Sequence, residues 1–421
     1  MQLNAPVILL ASAALLTGAD FEPPITFQAS RILPATLVKG PHHTVAEAVT
    51  ADGYYQVFQI TSPYGDMEAE GRTVLRTRLG EVDALARLDE VSRSAVFVKA
   101  AGGAIVNVGR GFVAAVKDPE ATVKGIGGGI KRFGVNLGRQ GKRAVQSATT
   151  DKKEADEEEK SAAAKAGGAA GGAALSVLGV NSAARRWAEK LKVDPYTSNP
   201  VLHEALVSIG KVDAAGGIAA KIVVPIPMIV STPATVGGLV WGRDPEEVRK
   251  VNEQRLSELG VSKDDAGRFF RNPDFTLTNQ TRFIAALHAV KAKGSVDYVA
   301  AAAESEGERD ALFFVESAEL LAGLHKTRPV SAILEDSRAL VARTSGSRVV
   351  ALLPFDHLRW TERLAQWAPE LATRARKELG ARSLEARVSG SATAAAKAGL
   401  TAAGWTVRER VTEGLMTMPA D

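Results

Sequence analysis

Residues 151–160 read DKKEADEEEK and run directly into the Ala/Gly-rich stretch 161–174. Such a composition buries too little apolar area to offset the conformational entropy of ordering it, so no hydrophobic core runs through it. Residues 148–174 are therefore expected to be a solvated linker that divides the chain. The stretch before it is of a different kind. Between 99 and 143 the cations Lys99, Arg110, Lys117, Lys124, Lys131, Arg132, Arg139, Lys142 and Arg143 are opposed only by Asp118 and Glu120, nine against two, for a local charge of +7. Ile105, Val108, Phe112, Val113 and Val116 recur at helical spacing, as do Ile130, Phe133 and Leu137 after a run of glycines. Residues 101–147 thus read as a basic, Gly-rich amphipathic segment.

Upstream, residues 7–16 form a short apolar block followed by Thr17, Gly18 and Ala19, small residues of the kind that precede a signal-peptidase cut. Residues 1–19 are read as a cleaved signal peptide, with a periplasmic or envelope destination. The block is too short to cross a hydrocarbon core, which takes about 20 apolar residues. No Lys or Arg precedes it, so the positive charge of its n-region is that of the amino terminus unless the true start lies further upstream. Beyond it, 54–61 (YYQVFQIT) alternates apolar and polar residues and 66–71 continues after the turn Ser62-Pro63-Tyr64-Gly65, which predicts a hairpin. From Thr73 the positions Val74, Leu75, Leu79, Val82, Leu85, Leu88 and Val91 predict a long amphipathic helix. Residues 20–100 make one α+β unit.

Beyond the linker, Asp194-Pro195, Ser198-Asn199-Pro200, Asp244-Pro245 and Asn272-Pro273 each place a capping side chain beside a proline suited to a first helical turn, so 175–296 is expected to be a helical domain. Its most apolar part, 217–241, resembles a membrane span. About eleven strongly apolar residues at roughly −0.5 kcal/mol each give about −5 kcal/mol, against about +3 for Lys221 and up to ~3 for each of Pro225, Pro227 and Pro233. A buried, irregular core segment is the better reading. Residues 297–421 then alternate: strands over 330–334, 339–343 and 348–353, a helix over 361–379, and a strand, helix, strand sequence over 384–389, 393–403 and 405–411. That last run is a βαβ crossover, which favours parallel pairing and a small α/β sheet domain. The expected class is α+β and multidomain: an N-terminal hairpin with a long helix, a central helical region and a C-terminal α/β sheet.

Chemistry is constrained mostly by what the chain lacks. The absence of cysteine excludes disulfides, zinc ribbons, iron–sulfur ligation and thiol nucleophiles. A net charge of +4 on 421 residues is too small to argue for nucleic-acid binding. No Gly-x-Ser-x-Gly elbow, His-Glu-x-x-His helix or phosphate loop occurs, and no cofactor or metal is expected. His203-Glu204 begins like a zinc helix, but Val207 occupies the second ligand position. The glycines of 124–129 follow no hydrophobic strand and so do not read as a dinucleotide loop. His42 and His43 are expected as a surface pair, and His288 and His325 as hydrogen-bonded core or boundary residues. Ligands in α/β sheets collect beyond the carboxyl ends of strands. Asp356, His357 and Trp360 follow one such strand, and Ser389, Gly390 and Ser391 follow the next. His357 would be the titrating group, Asp356 would orient it and Ser391 would donate or be attacked. The same residues also fit capping and packing roles.

The runs 40–71, 193–206 (VDPYTSNPVLHEAL) and 272–280 (NPDFTLTNQ) resemble segments of an uncharacterised family of exported bacterial proteins with no assigned activity. The resemblance implies export and several domains, and it assigns no site residue. The functional expectation is a non-enzymatic binding protein. Arg110, Lys117, Lys124, Lys131, Arg132, Arg139, Lys142 and Arg143 would meet an anionic lipid surface or an acidic protein partner. The alternative is a hydrolase or transferase using the C-terminal domain.

Overall fold

A computed structural model describes residues 21–51, 53–102, 179–216 and 234–415. The expected signal peptide, the eight basic residues of the expected amphipathic segment and the expected linker lie outside the described residues, as does most of the apolar stretch 217–241. No described helix is long and apolar enough to cross a membrane.

The N-terminal unit is an antiparallel sheet backed by a long helix. Its elements are β1 (Ile25–Gln28), α1 (Ala29–Ile32), α2 (Ala35–Val38), β2 (Thr44–Val45), β3 (Ala48–Ala51), β4 (Val57–Thr61), β5 (Met67–Glu70), α3 (Arg72–Ser92) and α4 (Ala95–Ala100). The predicted hairpin is β4 and β5, paired antiparallel from Val57↔Glu70 to Ile60↔Met67. The sheet also contains β1, β2 and β3, in the order β1-β3-β4-β2. These strands are two to four residues long, too short to show a period. Gly71, at φ +97°, turns the chain out of β5 and into α3.

The helical section follows: α5 (Ser182–Leu191), α6 (Pro200–Gly216), α7 (Ala234–Val240), α8 (Pro245–Glu258), α9 (Lys263–Arg271), α10 (Leu277–Val290), α11 (Ser295–Ala303) and α12 (Glu308–Thr327). One core joins Val82, Leu85 and Leu88 of α3 and Phe97 of α4 to Trp187 of α5 and Leu202 of α6. The boundary expected at 148–174 therefore does not separate two cores. A polar, Ala/Gly-rich composition says that the stretch itself buries little, and it leaves its flanks free to pack on each other.

The C-terminal sheet matches the alternation read from the sequence. Strands β6 (Val330–Ile333), β7 (Leu340–Thr344), β8 (Arg348–Leu353), β9 (His357–Leu358), β10 (Ser383–Val388), β11 (Ser391–Ala392) and β12 (Trp405–Arg408) are joined by α13 (Glu362–Leu379) and α14 (Ala394–Ala402). The main order is β12-β10-β8-β7-β6. β8, β10 and β12 are parallel, and β6 and β7 run antiparallel beside them. Side chains of β8 alternate: Val349, Ala351 and Leu353 pack against α13 and α14, while Val350 and Leu352 pack with Phe314 and Leu321 of α12 and with Phe283 of α10. Each fully buried Leu contributes about 1.5–3 kcal/mol. The helical section thus covers one face of the C-terminal sheet, and the expected division at 296/297 cuts through a shared core.

Candidate functional site

Beyond the carboxyl ends of β8 and β10 the chain forms a second, two-stranded parallel pairing, with Ser391↔His357 and Ala392↔Leu358 in register. Gly390 is required by close approach, because a Cβ there would lie 2.0 Å from the Asp356 carbonyl oxygen. The pairing brings His357 Nδ1 to 2.7 Å from Ser391 Oγ. The imidazole packs edge-on to Phe27, with ring centroids 5.1 Å apart. Burial lowers its pKa and the charge of Glu22 opposes this, so the ring is neutral at pH 7.

Asp356 is placed beside this pair in sequence but turns away from it. Its carboxylate accepts the backbone N–H groups of Gln56 at 3.1 Å and Arg72 at 3.1 Å. It thereby caps α3, a helix that begins 284 residues earlier. The orienting role expected toward His357 is replaced by this one. The two backbone N–H groups offer a carboxylate more than one imidazole edge could, at the positive end of a long helix. Burial pushes the Asp356 carboxyl up to about 6, against the Gln56 bond and the charges of Arg309 and Arg72. Its own helix takes Thr361 as cap, and α14 takes Thr393 rather than Ser391.

A larger assembly of polar groups lies where sequence reasoning saw only turns and caps. From 193–206 come Asp194, Thr197, Ser198 and Asn199, and from 272–280 come Thr276, Thr278 and Asn279. Most of them line, with Glu81 of α3 and Glu308 of α12, a crevice of about 40 Å³, room for a water or two, and Arg78 of α3 and Asn199 bond to its lining residues. Arg78 bonds Glu81 at 2.9 Å, Ser198 at 3.0 Å and Glu308 at 2.7 Å. Glu81 also accepts from Thr197 and from Asn199, the latter at 3.0 Å. Asp194 accepts from Thr278 Oγ1 at 2.5 Å and from the Tyr196 N–H at 2.8 Å. Burial pushes Asp194 up to about 6 against those two bonds. Burial also opposes ionisation of Glu308, but the charge of Arg78 and the bond from Ser198 bring it below the ordinary range. Arg282 and Glu319 form a buried two-bond pair at 2.7 and 3.1 Å beside it. The legible signal was Arg78 and Glu81 themselves, charged residues on the core-facing side of α3 between Leu75, Leu79 and Val82.

The histidines divide. His43, expected at the surface, is 5% exposed and packs its ring against Gly40. His288 bonds Glu258 at 2.6 Å and His325 accepts the Val330 N–H at 3.1 Å, both as read from their apolar surroundings. Among the described residues no group of three or more His, Cys, Asp or Glu is arranged to hold a metal ion. Comparison with known protein families, with curated proteins and with solved structures finds no match for this chain.

Proposed function

We propose that this is a non-enzymatic envelope protein that attaches to an anionic lipid surface or an acidic protein partner through its basic segment, with residues 1–19 as its export leader. One observation supports the reading. Phe97 of α4, just before the segment, and Trp187 and Leu202, just after the linker, lie in a single core. A run with local charge +7 is therefore flanked on both sides in the chain by residues of one hydrophobic core. Each cation near an anionic membrane contributes about 1 kcal/mol, lost with rising salt. Flotation of the mature chain on phosphatidylglycerol vesicles tests this against a variant with Arg110, Lys117, Lys124, Lys131, Arg132, Arg139, Lys142 and Arg143 all changed to Gln. Salt-sensitive flotation of the parent alone is the expected outcome. Salt-sensitive capture on polyglutamate instead of vesicles would assign the acidic protein partner, and equal behaviour of parent and variant would overturn the reading.

A second reading, a hydrolase or transferase, is favoured by the 2.7 Å contact between His357 and Ser391. A neutral imidazole can take the serine proton as Oγ attacks an acyl or phosphoryl centre. A fluorophosphonate probe would then label Ser391 in the parent and not in His357→Ala. Labelling that persists in Ser391→Ala removes this reading.

A further inference from the structure

We propose that the outer part of the C-terminal sheet, on the face it shares with α12, binds a compact anion carrying two linked phosphoryl groups. On this face Val350 and Leu352 of β8 pack with Phe314 and Leu321 of α12. The positions in register with them on β10 are Glu385 and Arg387, and the next ones out, on β12, are Thr406 and Arg408. Apolar positions thus give way to charged ones on passing from β8 to β10 and β12. Arg348 at the start of β8 and Arg328, the C-terminal cap of α12, join the same group.

Four guanidiniums surround one carboxylate there. Arg328 Nη1 donates to Glu385 Oε2 at 2.9 Å and Arg387 Nε donates to Oε1 at 2.9 Å, so each oxygen has its own donor. Burial works against ionisation of Glu385, but the bonds and charges of Arg328 and Arg387 bring it below the ordinary range. Arg348 and Arg408 approach the same two oxygens from β8 and β12 only to 3.6 and 3.8 Å, beyond hydrogen-bond distance. Their side chains are 45% and 52% exposed. Glu413, 3.7 Å from Arg387, is the one other carboxylate paired with this group among the described residues. Four cations against two anions leave an excess of +2. A structural ion pair at Glu385 needs Arg328 and Arg387 alone, whereas Arg348 and Arg408 add repulsion and no hydrogen bond. A bound anion turns that repulsion into attraction. Both outer guanidiniums approach one carboxylate, so one ligand can bridge them from the solvent side. A diphosphate neutralises the whole excess and presents two sets of oxygens to two planar donor forks. Arg387, 5% exposed and held by Glu385, is fixed in advance beneath them. The site is separate from the basic segment and does not depend on the function proposed above.

Calorimetric titration with inorganic pyrophosphate, ADP, inorganic phosphate and sulfate tests the proposal, using the mature chain with its eight segment cations changed to Gln so that the basic segment cannot contribute. Saturable binding of pyrophosphate is expected, at least tenfold tighter than that of phosphate or sulfate. In that background Arg348→Gln with Arg408→Gln should weaken pyrophosphate at least tenfold. The melting temperature of the ligand-free protein should not fall, since neither guanidinium hydrogen-bonds Glu385 and both changes relieve repulsion. Arg343→Gln, at a position in register with Val349 on the opposite face of the sheet, should leave pyrophosphate binding unchanged. ADP binding within a few-fold of pyrophosphate supports a diphosphate group on a larger solute, and pyrophosphate binding without ADP binding supports the free anion. Absence of saturable pyrophosphate binding overturns the site, as does equal affinity after the Arg348 and Arg408 changes or an equal loss in Arg343→Gln. Sulfate or phosphate bound as tightly as pyrophosphate overturns the assignment of a diphosphate.

Discussion

Replacing Asp356 by Ala and by Asn separates its hydrogen bonding from its charge. The carboxylate accepts two backbone N–H groups, those of Gln56 and Arg72, both at 3.1 Å to the same oxygen. Alanine leaves both donors without that acceptor, at about 1–3 kcal/mol for each buried donor, so a loss of about 2–6 kcal/mol of hydrogen bonding is expected. Asparagine can place its own oxygen where Oδ2 lies, keeping both bonds while removing the buried charge. That charge has a cost. Burial raises the carboxyl from 3.8 to about 6 in the fold, which puts roughly 3 kcal/mol against the ionised folded state. The sign follows from proton uptake: the folded protein binds the proton more tightly than the unfolded chain, so the stability involved is present in full below pH 3.8, declines as pH rises, and is lost above about 6. Urea unfolding of the full chain at pH 4.5 and pH 7.5 reads all of this. Asp356→Asn should match or exceed the parent at pH 7.5 and fall behind it, relatively, at pH 4.5. Asp356→Ala should be less stable than Asp356→Asn at both, and less stable than the parent at pH 4.5, where the charge it removes costs little. Equal stability of the Ala and Asn variants, or a parent–Asn difference that does not change with pH, would refute the reasoning.

Two other substitutions test the surrounding architecture. Gly390→Ala places a Cβ 2.0 Å from the Asp356 carbonyl oxygen and should lower stability by about 1–3 kcal/mol or more by forcing β9 and β11 apart, measurable as a fall in melting temperature. Glu81→Leu removes an acceptor that is 1% exposed and serves Arg78, Thr197 and Asn199. It should cost about 3–5 kcal/mol by leaving Arg78 incompletely paired, and adding Arg78→Met should recover part of that loss in the same unfolding assay.

Much of the backbone plan was written in local pattern. The alternation in 330–353, the apolar spacing of 73–91 and the Gly-marked junctions around 394–402 each specify an element through contacts a few residues apart, and the structure has β6 to β8, α3 and α14 at those places. The predicted parallel crossover is β10, α14 and β12. The site was legible only in part. Ser391 and His357 follow adjacent parallel strands, and that topology alone brings them together.

Asp356 shows where local reading stops. From sequence it neighbours His357, and a carboxylate beside an imidazole suggests a catalytic partner. The fold offers it instead the open N–H groups at the start of α3, 284 residues away. Likewise 193–206 and 272–280 carry the local marks of turns and caps, which they are. Their role in closing one polar network on Arg78 and Glu81 exists only once α3, α10 and α12 pack together. The amino-acid sequence by itself determined the elements, their order and the concentration of positive charge between 99 and 143, because these depend on side chains within a turn or a pleat of one another. Only the tertiary structure decided which carboxylate caps which helix and which flanks share a core, because a buried polar group takes whichever donor the packed chain brings to it.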